Sequence, residues 1–598
     1  MNAEERLIVE NVLGRIARKV WNEFLTSGEG AAFNQRLVLV RATLASAGLT
    51  SMGAPPLPVA ELIDIYGSEL LNHPEVGSWL RRALLERLSA RDWDKLKSLY
   101  PHLAGQDADM LHGSMTQGGN GSRVMASYWR HGGLWARQFC DVVGLPKCLS
   151  ESDGRALPED EEIWPAEPLQ ALHDYQGDVY KQLRELLQSR TGTSMLSLPT
   201  GAGKTRVAVE AVCDHLASIG DNGRNVTLWI AQSEELQLQA WECFRQVWQV
   251  PPNRADGQLV KRVGPLRLLW AWGAHKLGNL ELDGERTVII TGIQQLHSWV
   301  KRYPELLGEI FPKERRAAII INEAHRLITE QHRDALLALE LRLKSSWQQP
   351  NNAAPVIGLT ATPWRSDDAQ GEPLRSYFQT SLLRPEALGK TPICELQKRR
   401  ILSEVKHENL KIKGTPAMSE TQKRKFEIFH ELPPDYLEVL GRDLNRNTAI
   451  IQKLRGLKKS SKALIFACSI EHAELLTLLL NRVLGQCAVV VTGVTPRGQR
   501  AAIIERFRNG DLRFLCNVSV LTTGFDAPKV DNVVITRPTW SALRYAQMVG
   551  RGLRGPKNGG TEQCLVIDVQ DEGLPSDVQS YARVVQLWDG LHSDTAVS

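Results

Sequence analysis

The sequence lacks a long apolar run, a cysteine cluster and a strong excess of one charge. No stretch approaches the roughly 18 consecutive apolar residues that a membrane-spanning helix needs. The nine cysteines contain no CxxC pair, which argues against a structural zinc site and against a disulfide framework. A formal net charge of +4 is too small to decide for or against a nucleic-acid partner.

The composition is that of a globular protein. Hydrophobic residues make up 42% of the 598 residues and charged residues 23%, which excludes a disordered tail protein, a collagen and a coiled-coil rod. This length predicts roughly three to five compact units. The first residues are charged and amphipathic, without the apolar core or cleavage site of a secretory signal, so we expect a cytoplasmic location and no membrane partner.

Three regions differ in their apolar pattern. Residues 1–150 have apolar residues at helical spacing, which predicts a mainly helical N-terminal domain for docking or recognition. Residues 151–168 mix acidic residues with three prolines and have no apolar period, which indicates a linker. After residue 168, short β-branched runs alternate with helical stretches, which is typical of parallel sheets covered on both faces.

These β-branched runs fall into two groups, which predicts two tandem α/β domains at residues 169–385 and 386–598. The second domain begins with a segment rich in lysine and arginine, up to about residue 460. Strands are predicted at 195–198, 226–231, 287–291, 317–321, 355–360, 462–467, 488–492, 514–519 and 532–536.

The sequence PTGAGKT, at residues 199–205, is the strongest single motif. An apolar run precedes it and a helix-period stretch follows it, which is the strand–loop–helix context of a phosphate-binding loop. Glycines allow backbone N–H groups to approach phosphates, Lys204 would reach the β- and γ-phosphates, and the Thr205 hydroxyl would hold Mg²⁺. A tight turn with a chance lysine is the alternative. The residues predicted to bind ATP here are Thr200, Gly201, Ala202, Gly203, Lys204 and Thr205.

A second part of this site follows another apolar run. Residues 317–321 lead directly into Asn322 and Glu323. Polar residues at the end of a buried strand are placed to face the phosphates, and Glu323 is the candidate to orient and deprotonate an attacking water. A capped strand end would look the same in isolation, but together with the phosphate loop the pattern indicates a nucleotide hydrolase.

Further motifs in the same order resemble those of superfamily-2 DEAD/DEAH-type helicases, over roughly residues 169–569. The continuation Trp364-Arg365 resembles the branch of XPB-like helicases and type III restriction translocating subunits. The matching residues are Tyr175-Gln176, Gln232, Gln239, Thr291-Gly292, 360–363 (TATP), 464–469 (LIFACS), 522–528 (TTGFDAP) and 547–554 (QMVGRGLR).

The resemblance implies two RecA-like domains that close on ATP and Mg²⁺ and move nucleic acid stepwise. It assigns adenine contact to Gln176 and arginine fingers to Arg551 and Arg554, which would act with Lys204 and Glu323 in catalysis. The remaining implied assignments are Gly524 and Asp526 to ATP, Thr205, Asn322 and Glu323 to the metal, Thr360 and Thr362 to coupling, and Gln239, Thr291 and Thr523 to DNA.

Asn322 departs from the family pattern, which has an aspartate at this position. An asparagine keeps the shape and one acceptor oxygen but loses the negative charge, so metal affinity and hydrolysis should fall. Three interpretations remain open: a natural variant with tolerable activity, a slow ATPase used as a nucleotide-gated clamp, or a substitution made to trap a complex.

The continuation Trp364-Arg365 leans toward double-stranded DNA as the substrate by resemblance only. No RRM, KH or zinc-knuckle signature is present. Lysines between Lys398 and Lys425 either extend the DNA groove or form a solvated helix face. The N-terminal region has neither a nuclease motif nor an activating context for a Cys140–His131 nucleophile. We therefore expect a packed helix at 129–149, and place any nuclease on another chain of a bacterial defence system.

Three hypotheses follow from these patterns. The first is an ATP-dependent DNA translocase or helicase, and the second is a DNA clamp or sensor with little turnover that recruits an effector. RNA unwinding is the third. Six tryptophans in the first α/β domain, which are predicted to be packing residues, are Trp229, Trp241, Trp248, Trp270, Trp272 and Trp299.

Overall fold

A computed structural model describes most of the chain. The described residues are 3–49, 59–73, 76–97, 129, 133–150, 160–163, 171–189, 192–219, 223, 225–249, 264–271, 285–302, 311–326, 354–361, 378, 381–485, 487–493, 495, 497–522, 529–575 and 578–591.

The N-terminal region is helical wherever the structure describes it, as predicted. Aromatic side chains fill its interior: the Phe24 and Trp79 rings stack at 4.2 Å, and the Trp135 and Phe139 rings stack at 5.3 Å. Within residues 129–149, a packed helix is present at Leu134–Val143, with Cys140 fully buried, while residues 130–132, including His131, lie outside the described residues. The helices are α1 (Ala3–Gly14), α2 (Arg18–Thr26), α3 (Gly28–Ser46), α4 (Val59–Tyr66), α5 (Val76–Leu85), α6 (Ala90–Lys97) and α7 (Leu134–Val143).

The first α/β domain has an eight-stranded sheet whose strands are parallel except for β1. The strand order is β1-β4-β5-β3-β6-β7-β2-β8. The strands are β1 (Asp160–Ile163), β2 (Thr193–Ser197), β3 (Val226–Ile230), β4 (Leu266–Ala271), β5 (Thr287–Thr291), β6 (Arg316–Asn322), β7 (Val356–Thr360) and β8 (Leu382–Leu383). Its helices are α8 (Asp174–Ser189), α9 (Lys204–Ser218), α10 (Glu234–Gln249) and α11 (Ile293–Arg302).

The second α/β domain has a six-stranded parallel sheet in the order β11-β12-β10-β13-β14-β9. The strands are β9 (Glu404–Ile412), β10 (Ala463–Phe466), β11 (Ala488–Val491), β12 (Phe514–Asn517), β13 (Asn532–Ile535) and β14 (Gln563–Asp571). The helices are α12 (Pro392–Lys398), α13 (Glu420–Phe429), α14 (Pro434–Arg442), α15 (Leu444–Arg455), α16 (Ile470–Leu484), α17 (Arg497–Asn509), α18 (Ala542–Val549) and α19 (Tyr581–Leu591).

Every predicted strand is present, and the predicted fold of two parallel-sheet domains after a helical region is confirmed. Two strands in the connecting segments were not predicted. Within residues 151–168 lies β1, which pairs antiparallel with β4, and the basic segment at the start of the second domain contains β9, which pairs with β14. Both are edge strands, which need only backbone pairing on one side, so their sequences DEEI and EVKHENLKI carry charged residues instead of an apolar run.

The N-terminal helices do not stand apart from the two α/β domains. Their apolar residues form one continuous core with α15, α16 and the second sheet. The Arg36 guanidinium lies 2.6 Å from the Glu474 carboxylate, Arg482 lies 2.5 Å from Glu61, and the Asn481 amide donates to the Asp64 carbonyl at 2.8 Å. The side of these helices that packs on the second α/β domain is therefore covered by this chain itself, and the docking role of the N-terminal region stays a prediction.

No helix in the described part of the chain combines the length and apolar character that a membrane crossing requires.

Candidate nucleotide site

The sheet topology of the first domain brings the predicted ATP motifs together. Strands β2, β7 and β6 are adjacent and parallel, so their carboxyl ends meet at one edge of the sheet. In an open parallel sheet this edge is where ligands bind. The phosphate loop follows β2, Thr360 ends β7, and Asn322 ends β6, with Ser197 paired to Thr360 and Asn322 paired to Leu359.

The phosphate loop has the backbone shape that its glycines allow. Gly201 and Gly203 have φ angles of 86° and 87°, in the left-handed region that side chains disfavour. A Cβ at Gly203 would overlap the Gln176 amide. Helix α9 begins at Lys204, so its first N–H groups and positive dipole end face the loop.

Lys204 is folded back onto this loop. Its ammonium donates to the Leu198 carbonyl at 3.0 Å and to the Pro199 carbonyl at 3.4 Å. Burial lowers the pKa of Lys204 to about 8; the Glu323 carboxylate opposes this shift and the Arg551 guanidinium adds to it. A bound polyphosphate would therefore give the Lys204 ammonium a strongly negative partner.

Two side chains from α8 form hydrogen bonds to the phosphate loop. The Gln176 amide and the Tyr175 hydroxyl both donate to the Ala202 carbonyl, at 3.1 Å and 2.8 Å. The Gln176 carbonyl oxygen accepts the His173 backbone N–H at 3.0 Å. The Gln176 amide is thus engaged at both ends, with the phosphate loop on one side and the His173 backbone on the other, and its contact with adenine stays a prediction.

Asn322 and Glu323 are buried at the carboxyl end of β6. Glu323 has a φ of 57°, unusual for a residue with a side chain, and its carboxylate lies 3.3 Å from His325 Nδ1. The same nitrogen lies 3.0 Å from the Thr360 hydroxyl, so a chain of polar groups joins the ends of β6 and β7. Asn322 is 4% exposed, and its amide nitrogen has no hydrogen-bond partner among the described residues.

The oxygen atoms at this edge fit a magnesium ion. Hydroxyl, amide and carboxylate oxygens from Thr205, Asn322 and Glu323 are hard ligands, and Mg²⁺ normally takes few protein ligands and completes its shell with phosphates and water. The described residues contain no group of three or more His, Cys, Asp or Glu side chains that could hold a metal ion without such a substrate. The unpartnered Asn322 amide is consistent with a site that is completed by a ligand.

The second domain closes over the phosphate loop. Gly550, at the end of α18, lies so close to Thr200 that a Cβ there would overlap the Thr200 side chain, and Leu402 contacts Gly201. Arg551 is near enough to Lys204 to lower its pKa. Arg551 Nε donates to the Gln547 carbonyl at 3.3 Å.

Arg554 lies three residues further on, where its backbone forms a bridge with Leu402. Its carbonyl accepts the Ser403 hydroxyl at 2.7 Å, so the backbone of this predicted finger is fixed against the start of the second domain. The roles of Arg551 and Arg554 as fingers stay predictions.

The predicted nucleic-acid contacts have different surroundings. Gln239 is half-buried on α10, whereas Thr291 is fully buried at the end of β5, where its hydroxyl donates to the Gly292 carbonyl at 3.4 Å. A direct contact of the Thr291 side chain with DNA is therefore not supported by this arrangement. Thr362, Thr523, Gly524, Asp526 and Trp272 lie outside the described residues, and Trp229, Trp241, Trp248, Trp270 and Trp299 are buried packing residues, as predicted.

Several residues that join the two α/β domains were not predicted. His173 Nε2 lies 3.1 Å from the Asn558 amide oxygen, and the Arg399 guanidinium lies 2.6 Å from the Asp174 carboxylate. Arg500 on α17 pairs with Glu235 on α10. Each pair is separated by more than 200 residues, and no local pattern marks such partners.

Comparisons with known families match both α/β domains. Residues 170–365 match the family described as "Type III restriction enzyme, res subunit", and residues 446–555 match the "Helicase conserved C-terminal domain". The chain is 25% identical over 404 residues to "Putative ATP-dependent helicase IRC3" of Saccharomyces cerevisiae, covering 66% of this chain and 51% of the relative. It is 23% identical over 476 residues to "Type I restriction enzyme EcoKI endonuclease subunit" of Escherichia coli, covering 73% and 38%.

A solved structure, "ATP-dependent Type ISP restriction-modification enzyme LlaBIII bound to DNA", aligns with a TM-score of 0.46 at 16% identity, over 71% of this chain and 29% of that one. The chain thus spans about half or less of the length of the relatives it matches. The two family matches together cover both α/β domains and include the phosphate loop, Asn322, Glu323 and both predicted finger arginines. The chain belongs to the superfamily-2 helicases, in the branch that resembles type III restriction enzymes.

Proposed function

We propose that this chain is an ATP-dependent translocase or helicase that acts on double-stranded DNA. The observation that carries the proposal is the contact of Gly550, in the second domain, with Thr200 in the phosphate loop of the first; Arg551 follows Gly550 and is near enough to Lys204 to lower its pKa. A nucleotide site divided between two domains allows nucleotide binding and hydrolysis to control domain closure. Membership of the helicase family supports ATP hydrolysis.

Each residue of the site has a chemical task in this proposal. Lys204 neutralises charge on the terminal phosphates, and the backbone of the phosphate loop orients them. Glu323 accepts the proton of the attacking water, and its neighbour His325 keeps the carboxylate in place. Arg551 and Arg554 stabilise the charge of the transition state when the domains close. Mg²⁺, when bound, supplies positive charge to the phosphates, and the oxygens of Thr205 and Asn322 would hold it.

Hydrolysis is linked to domain movement through the end of β7. Thr360 contacts His325 by its hydroxyl, and its carbonyl accepts the Leu198 backbone N–H at 3.4 Å. A change at Glu323 is thereby transmitted to both the phosphate loop and the segment that follows β7. DNA that bridges both domains would be moved when they separate.

The proposal also specifies double-stranded DNA as the substrate and a bacterial defence system as the biological context. They are supported by the resemblance to restriction enzyme subunits, which act in such systems with further subunits or domains. A nuclease on another chain and a cytoplasmic location remain predictions from the sequence.

A nucleotide-gated clamp is the second candidate function. Its support is Asn322, which lacks the charge that an aspartate would place beside the metal. A clamp would bind ATP and DNA tightly but hydrolyse ATP slowly.

The rate of ATP hydrolysis tests both candidates. We would measure it for the natural chain and for Asn322→Asp, each without polymer and with duplex DNA, single-stranded DNA or RNA. Lys204→Ala, measured in parallel, controls for contaminating ATPases. Stimulation of the natural chain by duplex DNA supports the translocase.

Other outcomes change the proposal in defined ways. If only Asn322→Asp hydrolyses ATP, the chain with Asn322 is a clamp-like or trapped form rather than an active translocase. Selective stimulation by RNA would contradict DNA as the substrate. Equal activity of Lys204→Ala and the natural chain would contradict the assignment of the phosphate loop.

A further inference from the structure

Helix α13 presents an unusual surface for a segment inside a folded domain. None of its ten residues, all of which the structure describes, is fully buried. The Ile428 and Phe429 side chains at its C-terminal end are each 70% exposed. Large apolar side chains with this exposure, placed side by side, indicate a contact surface.

The helix is nevertheless firmly attached. Ser419 and Gln422 form a capping box at its start, with reciprocal hydrogen bonds of 3.3 Å and 2.9 Å. The Phe426 ring packs edge-on against Trp540 at 4.7 Å. Beyond the helix, Glu431 lies 2.6 Å from Arg544. The exposed C-terminal end of α13 is thus held in place by contacts with its own domain.

These attachments place α13 at the ligand-binding edge of the second sheet. Trp540 follows the carboxyl end of β13, and Cys468, in the same apolar cluster, follows the carboxyl end of β10. Arg544 lies on α18, the helix that leads to Arg551. Helix α13 is therefore connected both to the carboxyl edge of the second sheet and to α18, the helix that leads to the predicted finger Arg551.

Helix α13 carries three basic residues, Lys423, Arg424 and Lys425, and two acidic ones, Glu420 and Glu427, and Lys423 pairs with Glu420 at 2.7 Å. Arg424 and Lys425 are exposed and precede Ile428 and Phe429 by four residues, so each basic side chain lies beside one apolar side chain on the helix surface. The basic residues exposed on α13 and on the segment leading to it are Lys411, Lys413, Lys423, Arg424 and Lys425. An aromatic ring beside flexible cations is the combination that binds an unpaired base and its flanking phosphates.

We propose that α13 is a base-stacking contact, in which Phe429 stacks on an unpaired base of the nucleic acid while Arg424 and Lys425 bind the adjoining phosphates. The inference rests on the proposed function and adds the part of the DNA that is recognised, a base exposed at a strand end or a duplex junction. Trp540 and Arg544 connect α13 to α18, so a base bound at α13 would influence the position of the predicted finger arginines.

The test uses a DNA duplex with a single-stranded overhang that carries 2-aminopurine, whose fluorescence is quenched by stacking. Phe429→Ala and Phe429→Leu are compared with Phe429→Trp, which keeps an aromatic face. Val439→Ala is the matched control, because Val439 is 39% exposed on the neighbouring helix α14. Hydrolysis of ATP without DNA, measured for every variant, shows that the phosphate site is intact.

We expect Phe429→Ala and Phe429→Leu to weaken overhang binding by roughly 5-fold or more and to lose the quenching, while Phe429→Trp retains both. Arg424→Gln and Lys425→Gln should each lower the salt dependence of binding by about one phosphate contact. Basal ATP hydrolysis should not change in any of these variants.

Three results would contradict the proposal, and they are distinguishable. If the natural chain binds the overhang but Phe429→Ala behaves like Val439→Ala, the stacking contact is wrong and the proposed function stands. If the natural chain binds no nucleic acid, both fail. Equal binding by Phe429→Leu and the natural chain would show an apolar protein-type contact instead of stacking.

Discussion

At the scale of single residues, burial decides the charge state of the lysine in the phosphate loop. Because the pKa of Lys204 is lowered to about 8 in the nucleotide-free chain, roughly half of these side chains are uncharged at pH 8. A bound polyphosphate favours the charged form and raises the pKa again. Nucleotide binding should therefore take up protons near pH 8, and nucleotide affinity should fall as the pH rises above 8.

Calorimetry of ADP binding in two buffers with different ionisation enthalpies measures this uptake. We expect up to about half a proton per site at pH 8, since half of the lysines must gain one. Lys204→Arg is the control, because the arginine stays protonated and should bind without uptake. The same proton uptake in Lys204→Arg would show that another group titrates.

For Asn322, the sequence predicts the position in the fold but not the environment of the side chain. Its position at the end of β6 followed from the apolar run that precedes it, and the structure confirms that position. What the sequence left open is the environment of the amide, which is buried and has an unpartnered nitrogen among the described residues. Burial depends on the neighbouring strands β3 and β7, which come from distant parts of the chain.

At the scale of elements, the end of α18 is the closest approach of the second domain to the phosphate loop. Gly550→Ala would place a Cβ on the Thr200 side chain and near the Ala546 carbonyl, so the two domains could not close as they do here. We expect ATP hydrolysis to fall on the order of 10- to 100-fold, because small displacements of catalytic groups have effects of this size. Folding of each domain should be retained.

Gly493→Ala is the matched control for this change. A Cβ at Gly493 meets no atom of the described residues within 4 Å, so this variant should keep the natural rate. Steady-state hydrolysis and thermal unfolding would be measured for both. Natural activity in Gly550→Ala would show that the contact with Thr200 is not part of the active arrangement.

The elements also show what periodicity can and cannot predict. The interior strands were found because burial on both faces requires apolar residues along their whole length, as in β6. The edge strands β1 and β9 were missed because one neighbouring strand supplies their pairing and their sequences carry charged residues in place of an apolar run. The sequence of α13 predicted only a basic segment, because it does not indicate which side of the helix packs on Trp540.

At the scale of the whole molecule, the N-terminal helices and the second α/β domain share one core. Arg36 and Glu474 form an ion pair across this junction, with side chains only 10% and 6% exposed. Arg36→Met would leave the Glu474 carboxylate buried without its main counter-charge. We expect the free energy of unfolding to fall by about 3–5 kcal/mol, the usual cost of removing one partner of a buried pair.

Denaturant unfolding of Arg36→Met, Glu474→Leu and the double variant measures this coupling. The double variant should recover most of the lost stability, because neither charge then remains buried alone. Hydrogen exchange should show α3 and α16 opening together in the natural chain. Independent opening of α3 would mean that the N-terminal helices are a separate unit after all.

By itself, the sequence determined the local features: the strand–loop–helix around Lys204, the polar end of β6, and the alternation that makes two parallel sheets. These depend on the spacing of neighbouring residues, which is visible in a linear pattern. Only the tertiary structure decided that the N-terminal helices pack on α15 and α16, and that Gly550 contacts Thr200. The physical reason is that such contacts join surfaces hundreds of residues apart, and their complementary shape and charge exist only after both surfaces have folded.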